Sequence, residues 1–237
     1  MKTLYTIGDS FMSLDNPPGK VTSFLELYAR AKGFEHRSLA RPGATNFVIR
    51  LQIDEAIKNR ADYVVVGNTC SDRFDFAIDP NFKTGYIRLD EILYRGYHCV
   101  SETDPMFENS VPRLVCDSFA NILLEHHEKI LKPSQRQALK TYIADLHNPC
   151  IQSQRDYYVI SDGLRALDAA GIPFVFLRGW MANRDWSWVK RVWPADRWEP
   201  VPMPLGPNPT EHTVTHNDQV CHDNFFETLM QITEDWV

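Results

Sequence analysis

Three consecutive valines, Val64-Val65-Val66, stand between Ala61-Asp62-Tyr63 and Gly67-Asn68-Thr69 with no polar residue alternating among them. An exposed strand face demands alternation, so a short β-branched run without it is buried on both faces, as in a central parallel strand covered by helices. The rest of the chain has to supply those helices. A turn cluster, Asn16-Pro17-Pro18-Gly19, precedes a helical pattern over Val21–Gly33, with Thr22 or Ser23 at its start and Gly33 at its stop. Phe34–Leu39 reads as a second strand, and a further helix is expected from Asn46 to Asn59. After a long interruption, Gln152–Ala170 reads as an amphipathic helix ended by Gly171, followed by a strand over Ile172–Leu177. Phe225, Phe226, Leu229, Met230 and Ile232 then form the apolar stripe of a final helix that begins near Val220. This alternation of strand and helix predicts an α/β fold with a mainly parallel sheet.

The chain has 237 residues, 43% of them hydrophobic, enough to bury one sizeable core without staples. A single domain over 1–237 is expected, with a helical insertion or cap at about 74–148 whose helices fall near 115–131 and 134–147. That stretch is too long for a structureless loop in a compact domain. The net charge is −6 and the 25 basic residues are scattered, which argues against a nucleic-acid partner. Five cysteines, odd in number and without a C-x-x-C pair, signal neither a zinc knuckle nor a disulfide framework, so reduced thiols are expected. The first residues, broken early by Gly8-Asp9, are too short for the apolar core of a signal peptide. No window approaches the ~18 apolar residues of a membrane span. These features predict a soluble, cytoplasmic protein with no membrane partner.

The chemistry concentrates at predicted strand ends. Thr3-Leu4-Tyr5-Thr6-Ile7 is β-prone, stops at Gly8 and is followed by Asp9 and Ser10, which puts a hydroxyl where open α/β sheets bind ligands. Ala40-Arg41-Pro42-Gly43-Ala44-Thr45-Asn46 contains a glycine able to present an unhindered backbone N–H. The valine strand delivers Asn68 and Thr69 at its carboxyl end, and His216 lies just ahead of the last helix.

In this order, Gly8-Asp9-Ser10, Pro42-Gly43-Ala44-Thr45-Asn46, Gly67-Asn68-Thr69 and His216 resemble the blocks of the SGNH, or GDSL, hydrolases. The resemblance covers about 1–66 and 152–237. It implies a three-layer α/β/α sandwich around a mainly parallel five-stranded sheet, flavodoxin-like in arrangement, and a serine esterase without cofactor. Ser10 is then the nucleophile and His216 the base. The oxyanion hole is formed by Ser10, Gly43 and either Asn68 or Thr69, because Asn68 comes one residue before the family's asparagine position. Thr69-Cys70-Ser71-Asp72-Arg73 is similar to a Gly-x-Thr-Ser-x-x-Arg variant of that block. Around the histidine, Asn217 replaces the usual proline, Cys221 the glycine, and Thr213 the aspartate three residues earlier; Glu211 and Asp218 are the nearest orienting acids, with a Ser-His dyad as the alternative. The substrate is a small-molecule or glycan ester, an O-acetyl group on a carbohydrate being one candidate.

Other readings use some of the same residues. His212 and His216, with Cys221 and His222, have donor types that suit a transition metal, but an extended Thr213-Val214-Thr215 does not present an i, i+4 pair to one ion, so no metal is expected. His126-His127-Glu128 fails the H-E-x-x-H pattern at Leu131. Five tryptophans between 178 and 198 either line a pocket or pin a loop. A non-catalytic binding domain with a degenerate site is the alternative to an enzyme.

Overall fold

The computed structural model describes residues 1–9, 12, 23–40, 44–69, 73–77, 98–99, 114–118, 133–178, 201–202 and 219–236. Four parallel strands form the centre: β1 (Thr3–Ile7), β2 (Glu35–Ser38), β3 (Tyr63–Gly67), and a strand at Phe174–Arg178 that is β7 in chain order. Their order across the sheet is β2-β1-β3-β7, and the two-residue β8 (Val201–Pro202) pairs parallel with the outer side of β7. Leu4 lies level with His36 on one side and Tyr63 on the other, and Val66 lies level with Phe176. From β1 the chain moves outward to β2 and then returns past β1 to β3. The β1/β3 boundary is therefore the point where the winding reverses, and there the carboxyl ends of the strands leave a crevice.

Local chemistry sets the helix ends. Helix α1 (Phe24–Lys32) starts where the Ser23 hydroxyl accepts the N–H of Leu25 and stops where Gly33 turns left-handed at φ 70°. Helix α2 (Asn46–Lys58) is capped by the Thr45 hydroxyl, which accepts the N–H of Val48. After α3 (Pro133–Thr141) and a π-helical turn at Tyr142–Leu146, α4 (Pro149–Ala169) begins at Asn148, whose side-chain oxygen accepts the N–H groups of Cys150 and Ile151. Pro149 occupies the first turn of α4, where its missing N–H costs nothing. The last helix is α5 (Gln219–Ile232).

The valine strand is buried on both faces because each face has its own helix pair. Val64 and Val66 pack with Ile49 and Ile53 of α2 and with Ile160 and Leu164 of α4. Val65 packs on the other side with Phe24 and Tyr28 of α1 and with Phe225 and Leu229 of α5. The C-terminal helix is fixed by polar contacts as well. Tyr28 donates its hydroxyl to Thr233 Oγ1 at 2.6 Å, and burial pushes the phenol up to about 12. Lys32 Nζ donates to the carbonyls of Thr233 and Trp236, and Phe34, Tyr63 and Trp236 stack in succession. Among the described residues no helix is long and apolar enough to cross a membrane.

A second, antiparallel sheet follows β3. It consists of β4 (Arg73–Ala77), β5 (His98–Cys99) and β6 (Leu114–Ser118), in the order β4-β6-β5. The helix expected over 115–131 is thus corrected at its start: residues 114–118 are a strand, and 119–132 lie outside the described residues. The partners that make it a strand lie upstream in β4 and β5, with Arg73 opposite Ser118 and Cys99 opposite Val115, and local periodicity carries no trace of those pairings. The helix expected over 134–147 appears as α3 and its π-helical extension.

Candidate active site at the strand ends

Just beyond β1 the chain is held by a side chain that imitates a strand. Gln52 of α2, fully buried, accepts the N–H of Gly8 at 2.8 Å and donates to the carbonyl of the same residue at 3.2 Å. Gly8 has φ 150°, and a Cβ added there would come within 2.9 Å of the Gly67 carbonyl and 2.5 Å of Met12 Cγ. A residue with a side chain fits neither that backbone nor that space. Met12, buried and bonded through its N–H to the Asp9 carbonyl, fills the gap between the two glycines and brings the turn after β1 down onto the end of β3.

Asp9 lies at the centre of the polar groups behind this turn. Its carboxylate, 2% exposed, accepts the Thr69 hydroxyl at 2.7 Å and pairs with Arg73 Nη2 at 3.1 Å. Arg73, 6% exposed, donates through Nη1 to the Ala44 carbonyl at 2.8 Å. This is a buried ion pair in which Nη1 and Nη2 each meet an acceptor, so removing one partner strands a charge at a cost of about 3–5 kcal/mol. Four segments meet through it: the turn after β1, the segment before α2, the end of β3 and the start of β4.

Asn46, the first residue of α2, completes the assembly. Its side chain accepts the Thr69 N–H and donates to the Thr69 carbonyl, both at 3.0 Å, and it also donates to Asp156 of α4 at 3.0 Å. Gln152 donates to the other oxygen of Asp156 at 2.9 Å. Thr69 therefore has its N–H, its carbonyl and its hydroxyl hydrogen all engaged.

Of the residues expected to act, Asn68 and Thr69 are described, and both are buried at the end of β3. Ser10, Gly43, His216, Glu211 and Asp218 lie outside the described residues, as do His212 and the five tryptophans between 178 and 198; of Cys221 and His222 the backbone in α5 is described. The sequence neighbours Asp9 and Ala44 meet at Arg73, and Asp9 meets Thr69, so three of the four motif segments converge at one end of the sheet. Sequence reasoning did not assign roles to Asp9, Asn46, Gln52, Arg73 and Asp156. Asp9, Asn46 and Arg73 sit inside the motifs, and their burial was the missing signal; Gln52 and Asp156 leave none in a single sequence.

His36 is a described histidine that belongs elsewhere. Its Nε2 lies 3.1 Å from Thr6 Oγ1 and burial lowers its pKa against the opposing effect of Glu26. Its backbone is level with Leu4 and its ring reaches Thr6, two residues short of Gly8, so its bond is to the middle of β1 and not to the groups at the strand ends. Among the described residues no cluster of three or more His, Cys, Asp or Glu side chains could hold a metal ion, and the Cys150 thiol is free and exposed. Compared with protein-family models and with curated proteins, the chain matches none.

Proposed function

We propose that the protein is a serine esterase on the SGNH scaffold, a three-layer α/β/α sandwich with five parallel strands when β8 is counted. The observation that supports the reading is that Arg73 binds both Asp9 and Ala44 while Thr69 binds Asp9 at the strand carboxyl ends, since these residues adjoin Ser10, Gly43 and Asn68. Ser10 attacks the carbonyl carbon of a carboxylic ester while His216 takes the hydroxyl proton. The negative oxygen of the tetrahedral intermediate accepts from the N–H groups of Ser10 and Gly43 and from a side chain at the end of β3. Collapse expels the alcohol, which receives the proton held by His216, and water then releases the acid by the same steps in reverse roles.

Between the two candidates for the side-chain donor, the reading assigns Asn68. The Thr69 hydroxyl already gives its hydrogen to Asp9, and using it on substrate would break that bond. Glu211 or Asp218 orients His216, or a Ser-His dyad operates without either. The substrate class is a small-molecule or glycan ester, O-acetylated carbohydrate included, and the chemistry calls for no cofactor. The test is turnover of a short-chain acyl ester by the wild type, Ser10→Ala and His216→Ala. Hydrolysis lost in both variants supports the reading, and undiminished hydrolysis by Ser10→Ala refutes it.

A further inference from the structure

We propose that Arg73 is a positioning residue that holds the two halves of the oxyanion hole in register, an inference that rests on the esterase reading. The two terminal nitrogens of one buried guanidinium reach different loops: Nη2 pairs with the Asp9 carboxylate at 3.1 Å, and Nη1 donates to the Ala44 carbonyl at 2.8 Å. Asp9 immediately precedes Ser10, and Ala44 immediately follows Gly43. The reading assigns the oxyanion-binding N–H groups to Ser10 and Gly43, so each lies one residue from an atom that Arg73 grips. These loops come from opposite sides of the sheet's winding, one leaving β1 and one entering α2.

The geometry explains why an arginine stands there. A planar fork serves a carboxylate and a carbonyl with two fixed, diverging donors, whereas an ammonium is a single point that satisfies one of them well. Asp9 also accepts the Thr69 hydroxyl, which extends the grip to the end of β3, where Asn68 lies. Arg73 opens β4 only six residues after β3 ends, so the chain that forms the second sheet starts as part of this clamp. A displacement of about 1 Å between groups that act together costs on the order of 10²-fold in rate, so loosening the clamp damages turnover although Arg73 never touches substrate.

The experiment compares wild type, Arg73→Lys and Arg73→Ala by amide hydrogen exchange and by ester hydrolysis. The expected result for Arg73→Lys is faster exchange in residues 8–10 and 43–45 with unchanged protection of residues 63–66 and 160–167. It is accompanied by a kcat lower by about 10²-fold and a KM that moves little. Free guanidinium added to Arg73→Ala partly restores kcat, and methylammonium does not; a variant that fails to fold leaves the decision to Arg73→Lys. Exchange that rises uniformly, or turnover that persists while both loops loosen, overturns the clamp. A wild-type chain that hydrolyses no ester and accepts no acylating probe refutes the esterase reading instead, and the exchange pattern then decides the clamp alone.

Discussion

The Thr69 hydroxyl donates a 2.7 Å hydrogen bond to the Asp9 carboxylate, joining the carboxyl ends of β3 and β1 across the point where the sheet reverses its winding. Thr69 and its neighbour Asn68 should therefore respond differently to substitution. Thr69→Val keeps the shape and deletes the donor to a buried carboxylate, so urea denaturation should show a loss of about 1–3 kcal/mol, with Thr69→Ser near wild type. Asn68→Ala should lower kcat by on the order of 10²-fold while leaving KM within a few-fold. A Thr69→Val protein as stable as wild type would show that the bond to Asp9 contributes nothing.

Gly33 and Gly8, two of the glycines with positive φ, provide a controlled comparison. Gly33 has φ 70° and open space around an added Cβ, so Gly33→Ala should cost only the conformational strain, about 1–2 kcal/mol. Gly8→Ala adds a backbone contact at 2.9 Å to its φ of 150°, and its loss of stability should exceed that of Gly33→Ala in the same urea titration. Equal losses would mean that the turn after β1 has room to relax.

His36 gives a pH dependence whose sign follows from burial. Its pKa is lowered in the folded protein, so below about pH 6.5 the unfolded chain binds more protons than the folded one. The contribution of a neutral His36 is present above that pH and is lost as the pH falls towards the depressed folded value. His36→Gln, which has no charge to acquire, should lose less stability than wild type between about pH 7.5 and about pH 5. A steeper loss in the variant would contradict the assignment.

The framework was legible in the sequence because local rules determine it. Val64-Val65-Val66 announced a strand buried on both sides, and Ser23 and Gly33 bracketed α1 with ordinary capping chemistry. Asp9 and Ala44 are held together through Arg73, and Asp9 is bonded to Thr69, so the segments beside three of the motifs meet at one end of the sheet. Two things had no local signature. The strand at 114–118 depends on partners upstream in β4 and β5, and the roles of Gln52 and Asp156 depend on which face of a helix meets the end of a strand. A polar residue on an amphipathic helix looks the same in sequence whether it faces water or grips a buried backbone.

The proposed esterase requires Ser10 to be an activated hydroxyl. A fluorophosphonate probe followed by peptide mapping in a mass spectrometer tests it without knowledge of the substrate. The expected result is one adduct per chain, on Ser10, absent from Ser10→Ala and strongly slowed in His216→Ala. No adduct, or one on a different residue that persists in Ser10→Ala, would contradict it.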